Sequence, residues 1–265
     1  MKNTAQLGIF HPYSIDGLIR LGNKFDGGYI VHGPSLKDID MLVTYGVGYN
    51  VEFEKDFNIK TKAPVLAFDP TMKDPRVFRD KIRQGSYLST VKQLRWLLKW
   101  MKEEKRLPDH RIKFVEEGIS ETDNASYKTF STHIDEYQLS DKKLMLKIDV
   151  DGAEYPVFKD ADIYKRLDNV VQLIIEFHDL DKYIHQVIET IENLATSHTL
   201  IHIHGNNYGE PFSYEGKSIP RVIEATLIHN SYLPEKTLST AEYPIHELDS
   251  PCDKRKADLP LAFFR

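Results

Sequence analysis

The chain has 265 residues, 41% hydrophobic and 28% charged, with a formal net charge of −5 and a single cysteine, Cys252. That length holds one large α/β domain or two small ones, and the acidic balance argues against a general nucleic-acid or anionic-membrane surface. One cysteine excludes an intramolecular disulfide and a cysteine cluster for zinc. No apolar run is long enough to span a bilayer, and Met1-Lys-Asn-Thr-Ala-Gln6 precedes no apolar core of signal-peptide length. A soluble, cytoplasmic protein with no nucleic-acid or membrane partner is therefore expected.

In chain order, Asp26-Gly-Gly-Tyr29 before Ile30-Val31 reads as a turn leading into a short strand. Residues 1–39 are expected to form an N-terminal extension packed on the core, and 40–265 a single domain, since Pro and Gly nowhere cluster into a linker. Met41–Tyr45, Val65–Phe68, Ile112–Val115, 144–150 and Val170–Phe177 lack polar alternation and stop on Gly, Pro, Asp or His. Such runs are buried parallel strands. Residues 200–204 form a sixth, ending at Gly205-Asn-Asn, Val222–His229 a seventh, and 261–264 a further edge strand. Between them, 90–105 carries Val91, Leu94, Leu97, Leu98 and Met101 on one side, and 183–197 carries Ile184, Val187, Ile188, Ile191 and Leu194. Both are amphipathic helices by spacing. Alternating strands and helices give an α/β, Rossmann-like, doubly wound and mostly parallel sheet.

In such a sheet ligands sit beyond the carboxyl ends of the strands. Gly46, Gly48 and Asn50 follow the first strand and Asp69 ends the second. Glycines there let the backbone turn tightly beside a bulky ligand, and a carboxylate about twenty residues on can accept the hydroxyls of a ribose. The third glycine of a dinucleotide fingerprint is missing. Glu117, Gly118 and Ser120 follow the third strand; Asp149, Asp151, Gly152 and Glu154 the fourth; Glu176 and His178 the fifth; His204, Asn206 and Asn207 the sixth. Packing alone does not call for polar residues at six successive exits.

The ordered set Asp26-Gly-Gly-Tyr29, Tyr45-Gly-Val-Gly48, Phe68-Asp-Pro70, Lys147-Ile-Asp-Val-Asp-Gly-Ala-Glu154, Ile175-Glu-Phe-His178 and His204-Gly-Asn-Asn207 resembles a class I S-adenosylmethionine-dependent methyltransferase. Within that class it is most similar to the FkbM-like group, from about residue 20 to about residue 224. Asp151 stands where that group usually has Glu, and Tyr45 where an acid is more frequent. The resemblance implies a seven-stranded sheet and S-adenosylmethionine as cofactor. Gly46 and Gly48 would pass its methionine portion, Asp69 would take the ribose, and 117–120 would lie beside the adenine. The full expected cofactor set is Asp26, Gly28, Tyr45, Gly46, Gly48, Asn50, Asp69, Glu117, Gly118, Ser120 and Asp149.

Methyl transfer to a hydroxyl needs in-line positioning and removal of the hydroxyl proton. Asp149, His178 and His204 are the candidate catalytic residues. His202 and His204, separated by Ile203, are expected on opposite faces, with His204 on the rim. Asp149, Glu176, His178 and His204 together suggest a divalent metal such as magnesium or manganese. Asp151, Asn206, Asn207 and Tyr208 are expected to meet the acceptor, the last three at the start of a long polar loop running to Pro220. Glu154 is read as a helix cap, Trp96 and Trp100 as a partly buried pair or a homodimer contact, and Arg76, Arg79, Lys81 and Arg83 as a solvated charged face first and a basic cluster suited to a diphosphate second. The expected function is O-methylation of a sugar or sugar nucleotide in bacterial surface-polysaccharide or natural-product synthesis. An NAD(P)-dependent oxidoreductase and a catalytically inactive binding protein of the same fold are the alternatives.

Overall fold

A computed structural model of the protein describes residues 4–48, 50–71 and 111–265. A short helix α1 (Thr4–Leu7) leads to the hairpin of β1 (Leu18–Gly22) and β2 (Gly28–His32). The chain then enters the main sheet at β3 (Met41–Tyr45), crosses through α2 (Glu52–Thr61) and returns as β4 (Val65–Phe68). Next come β5 (Ile112–Val115), the short parallel pair β6 (Gly118–Ile119) and β7 (Tyr127–Lys128), α3 (Phe130–Glu136) and β8 (Leu144–Ile148). Helices α4 (Glu154–Lys159) and α5 (Ala161–Lys165) precede β9 (Val170–Phe177), and α6 (Leu180–Leu194) precedes β10 (His198–Asn206). A small hairpin, β11 (Phe212–Tyr214) and β12 (Lys217–Ile219), leads into β13 (Val222–His229).

Seven strands make the main sheet, in the order β10-β13-β9-β8-β3-β4-β5. Strands β3, β4, β5, β8 and β9 run parallel, and β13 lies antiparallel between β9 and β10. The carboxyl ends of β3, β4, β5, β8, β9 and β10 consequently share one edge. Alternate residues of each strand feed opposite layers, as the period of two requires. Val43, Leu146 and Leu173 pack with α3, α4 and α6, whereas Leu42, Met145 and Ile174 pack with α2 and the β1–β2 hairpin.

The hairpin is fastened to the sheet by buried polar groups. Gln172, enclosed in β9, accepts from His32 N at 2.8 Å and donates to His32 O at 2.9 Å, so both ends of its amide are satisfied. Thr226 Oγ1 donates to Ile30 O at 2.6 Å. These bonds place Tyr29 above the exits of β8 and β9.

Most expected elements stand where the sequence put them, and the departures have local causes. The fourth strand stops at Ile148 because Asp149 begins the exit turn and Asp151 takes a φ of +52°. The sixth strand is longer than 200–204 because Asn206, though a turn former, still pairs with Val222. Helix α6 starts at Leu180, which extends the Ile184–Val187–Ile191 stripe by one turn. Residues 261–264 form no strand, only the single bridge Leu261–Tyr243. The polar stretch toward Pro220 contains the β11–β12 hairpin. The 90–105 helix, Trp96, Trp100 and the Arg76, Arg79, Lys81, Arg83 cluster lie outside the described residues. No helix among the described residues is long and apolar enough to cross a membrane.

Candidate functional site

The exits of β3 and β4 are locked together. Gly46 has a φ of +75°, and a Cβ there would lie 1.5 Å from the Asp149 carbonyl oxygen, so the β3 exit and the β8 exit approach as only glycine permits. Gly48, at φ +55°, faces open space instead. Its N–H donates to Asp69 Oδ2 at 2.8 Å, while Asp69 Oδ1 accepts from Thr71 N at 2.8 Å and Thr71 Oγ1 at 2.6 Å. The buried carboxylate therefore holds both loops at the mouth of one cavity.

That cavity, of about 240 Å³, is lined by Tyr45, Gly46, Gly48, Asp69, Gly118 and Asp149, with Phe68, Ile119 and Tyr127 as apolar walls. The Tyr45 ring stacks on Phe68 at 4.9 Å, and its hydroxyl contacts His133 Nδ1 at 2.9 Å. The polar end of Tyr45 is thus already taken. Glu117 is paired with Lys128 Nζ and His133 Nε2, each at 3.3 Å, and Ser120 contributes a backbone bond to Lys128. Neither is among the lining residues; Gly118 is, with the unanticipated Ile119.

Asp26, Gly28 and Asn50 belong to a neighbouring construction. Asn50 donates to Asp26 O at 2.9 Å and accepts from Asn23 Nδ2 at 3.0 Å, docking the β1–β2 turn on the β3–α2 loop. A Cβ on Gly28 would fall 1.9 Å from Asn23 O, so this glycine serves the turn. Asp26 and Asn50 line a small polar cavity of about 70 Å³ with Tyr29, Glu54, Lys147 and Asp149. They also line an open cleft of about 740 Å³ with Phe25, Tyr208, Cys252 and Arg255. Asp149 lines the first two cavities, and Asp26 with Asn50 the last two, so neighbouring cavities share walls. Another cavity, of about 470 Å³ between Tyr155, Tyr164 and Asn193, contains none of the rim residues.

Around Asp149 the groups are charged and enclosed. Lys147 Nζ lies 3.0 Å from Asp149 Oδ2. The Tyr29 hydroxyl lies 2.9 Å from both Asp149 Oδ2 and Glu176 Oε2. One phenolic proton cannot serve two carboxylates, so one of them must itself carry a proton. Glu176 is that group: burial, then the charges of Asp149 and Glu224, push it up to about 8. Its other oxygen accepts from Asn206 Nδ2 at 2.9 Å.

His178 Nε2 lies 3.8 Å from Glu176 and 3.7 Å from Asp151, and Nδ1 lies 3.4 Å from Glu154 Oε1. Burial pulls its pKa down, but contact with Glu154 and the surrounding carboxylates outweigh that and carry it up to about 9. Glu154 does not cap α4, whose N-cap is Ala153 with no side-chain bond; it accepts instead from Gly152 N at 2.9 Å and His178 N at 2.6 Å and so ties the β8 exit to the β9 exit.

His204 is placed differently from its expected catalytic role. Its Nδ1 lies 3.0 Å from Glu224 Oε2 and its Nε2 3.0 Å from Asp258 Oδ1, so both ring nitrogens are occupied. Nor does it share a metal-sized group with Asp149. Asp149, Asp151 and His178 present ligand atoms within 4.8 Å of one another, while His204 groups with Glu224 and Cys252. The expectation for His202 is corrected too. It pairs with Asp249 at 3.1 Å on the same face as His204, because residues two apart in a strand point the same way. Of the expected acceptor contacts, Tyr208 is exposed in the open cleft and Asp151 lines the first cavity. Asn206 is spent on Glu176, and Asn207 clasps Asp253 and Ala257.

Residues 101–198 match the family model of the methyltransferase FkbM domain. The match runs from the approach to β5 to the first residue of β10, less than half of the chain. S-adenosylmethionine is the methyl donor of that family. The sheet order is that of a class I methyltransferase fold. Among solved structures, a precorrin-6y C5,15-methyltransferase from Geobacter metallireducens GS-15 is 12% identical, over 72% of this chain and 81% of that one, with a TM-score of 0.38. A methyltransferase FkbM from Methylobacillus flagellatus KT is 13% identical, over 71% of this chain and 44% of that one, at 0.38. The O-methyltransferase NcsB1 of neocarzinostatin biosynthesis, solved with S-adenosylmethionine, is 8% identical, over 72% and 49%, at 0.31. No curated protein sequence matches the chain.

Proposed function

We propose that this FkbM methyltransferase binds S-adenosylmethionine in the 240 Å³ cavity and methylates a hydroxyl of a sugar or sugar nucleotide entering through the open cleft. One observation carries the reading: Asp149 lines both the 240 Å³ cavity and the small cavity beside it, whose Asp26 and Asn50 also line the cleft. The apolar walls Phe68, Ile119 and Tyr127 suit an adenine, and Asp69 its ribose. The acceptor oxygen attacks the methyl carbon, the carbon–sulfur bond breaks toward sulfur, and the hydroxyl proton passes to a base.

Asp149 is the base the geometry favours. Its Oδ2 is held by Lys147 and Tyr29, while Oδ1 makes no hydrogen bond among the described residues. His178 keeps its own proton at neutral pH, and His204 is enclosed between two carboxylates. A hydroxyl-rich acceptor suits the cleft, which offers Tyr208 and Phe25 as ring platforms and Asp26 and Asn50 as polar contacts. Lys24, Lys254 and Arg255 also line it and suit the diphosphate of a sugar nucleotide, an acceptor of the kind used in bacterial surface-polysaccharide or natural-product pathways.

The test is methyl transfer from labelled cofactor to a panel of sugars and sugar nucleotides, beside equilibrium binding of S-adenosylhomocysteine and NADH. Binding of S-adenosylhomocysteine but not NADH is expected; the reverse would make the chain an oxidoreductase, and binding without transfer would make it a scaffold. Asp69→Ala removes a carboxylate acceptor and should weaken S-adenosylhomocysteine by about 10–100-fold. Unchanged affinity would place the cofactor elsewhere. Tyr208→Ala should raise the acceptor KM by about 3–10-fold and leave cofactor affinity alone. A second reading adds a divalent ion at Asp149, Asp151 and His178, favoured by the 4.8 Å grouping of their ligand atoms. Binding it would require His178 to give up its proton. Full turnover in excess EDTA eliminates the ion.

A further inference from the structure

We infer that His204, Glu224 and Cys252 form a zinc site that fastens the C-terminal segment to the edge of the sheet, whether or not the chain transfers methyl groups. The ligand atoms come from three separate parts of the chain. His204 and Glu224 sit directly opposite each other on β10 and β13, and the segment after β13 brings Cys252 over them. All three side chains are buried, and one ligand atom from each lies within 4.8 Å of the others.

The donor chemistry selects the metal. An imidazole, a carboxylate and a thiolate match zinc, whereas magnesium and calcium take oxygen ligands almost exclusively. The orientation of His204 supports the same choice. Asp258 holds Nε2 at 3.0 Å, which is the carboxylate–histidine arrangement that orients a metal-binding ring. This leaves Nδ1 directed at Glu224 Oε2, 3.0 Å away, while Cys252 Sγ donates to Glu224 Oε1 at 3.3 Å. In the metal-free chain protons occupy the places a zinc ion would take.

Zinc binding would displace the imidazole proton and the thiol proton into solvent, with no change of oxidation state, so affinity should rise with pH. Cys252 also lines the open cleft, which provides a route for the ion. Three protein ligands leave a fourth position for water.

The experiment uses the full chain, stripped with chelator and titrated with Zn²⁺ against a chromophoric chelator, and separately with Co²⁺. Cobalt is expected to produce a thiolate-to-metal charge-transfer band that saturates with one equivalent. The acidic group at Asp149, Asp151 and His178 has no sulfur and cannot produce that band. Cys252→Ala should abolish it while unfolding, in EDTA, at the temperature of the parent chain. Asp258→Asn should weaken zinc by about 10–100-fold. Zinc should raise the Tm of the parent chain and leave that of Cys252→Ala unchanged. A folded parent chain that gives no thiolate band at cobalt saturation overturns the site, as does Cys252→Ala binding zinc as tightly as the parent.

Discussion

Replacing Lys147 with methionine is expected to lower the free energy of unfolding by about 3–5 kcal/mol, as when one partner of a buried ion pair is removed. Lys147 is 4% exposed, on the same strand face as Met145, and points into the layer between the sheet and the β1–β2 hairpin. Burial alone would strip its proton. The charges of Asp149 and Glu54, with the hydrogen bond to Asp149, overcome this and hold the pKa above the ordinary lysine range. Glu54, 1% exposed, depends on the same cation: one oxygen accepts from Thr44 Oγ1 at 3.0 Å and the other has no hydrogen-bond partner among the described residues.

Methionine fills the volume but leaves two carboxylates without their cation. Asp149 can turn to water, since its side chain is 22% exposed, whereas Glu54 must take up a proton. Adding Glu54→Gln to Lys147→Met removes the stranded charge and should restore part of the loss. Urea unfolding of the two single variants and the double variant gives the coupling directly, and residues in such contact typically couple by about 0.5–3 kcal/mol. A Lys147→Met cost below about 1 kcal/mol would mean the network is not charged as described.

This network also marks where the sequence was legible and where it was not. Periodicity and turn chemistry placed the strands, because an unbroken apolar run ending on Gly or Asp has few other solutions. They placed Gly46, Gly48, Asp69 and Asp149 on one edge for the same reason. What they did not determine was which polar residue faces which, because that depends on contacts far apart in sequence. Tyr29 meets Asp149 and Glu176 only because Gln172 and Thr226 dock the hairpin there. His204 is closed off by Asp258, on a segment with no periodicity to read. A usable signal existed all the same: Lys147, Glu176 and Glu224 each put a charge into a mostly apolar strand, and a charge in such a run is buried and must be paired. Glu54 carried no such mark, being one of several charges on a helix.

The same enclosed charges should make stability fall as pH rises through neutrality, the second large effect expected of this chain. Glu176 is pushed up from 4.5 to about 8, chiefly by burial and then by Asp149 and Glu224. His178 is carried up from 6.5 to about 9, where the neighbouring carboxylates outweigh burial. Between each pair of values the folded chain holds a proton that the unfolded chain has lost. Raising the pH through that window therefore favours unfolding, by about 1.4 kcal/mol per pH unit for each such proton. From pH 4.5 to 6.5 Glu176 acts together with Glu54 and Asp26, which burial also raises; from 6.5 to 8 His178 joins it, and His204, also raised, acts in the same sense. The histidines shifted the other way, His198 to about 4 and His133 and His32 also downward, act in the opposite sense below 6.5 and lose their weight above it, where their unfolded forms have also given up the proton. Urea unfolding at pH 6.5, 7.25 and 8 should show a steep decline. Glu176→Gln keeps an oxygen for Asn206 and cannot ionise, so it should flatten the decline by about 1.4 kcal/mol per pH unit. A parent profile that is level or rises across this range would mean that Glu176 is already ionised at neutral pH. The Tyr29 hydroxyl would then be facing two carboxylates with a single proton, an arrangement that the 2.9 Å contacts on both sides do not allow.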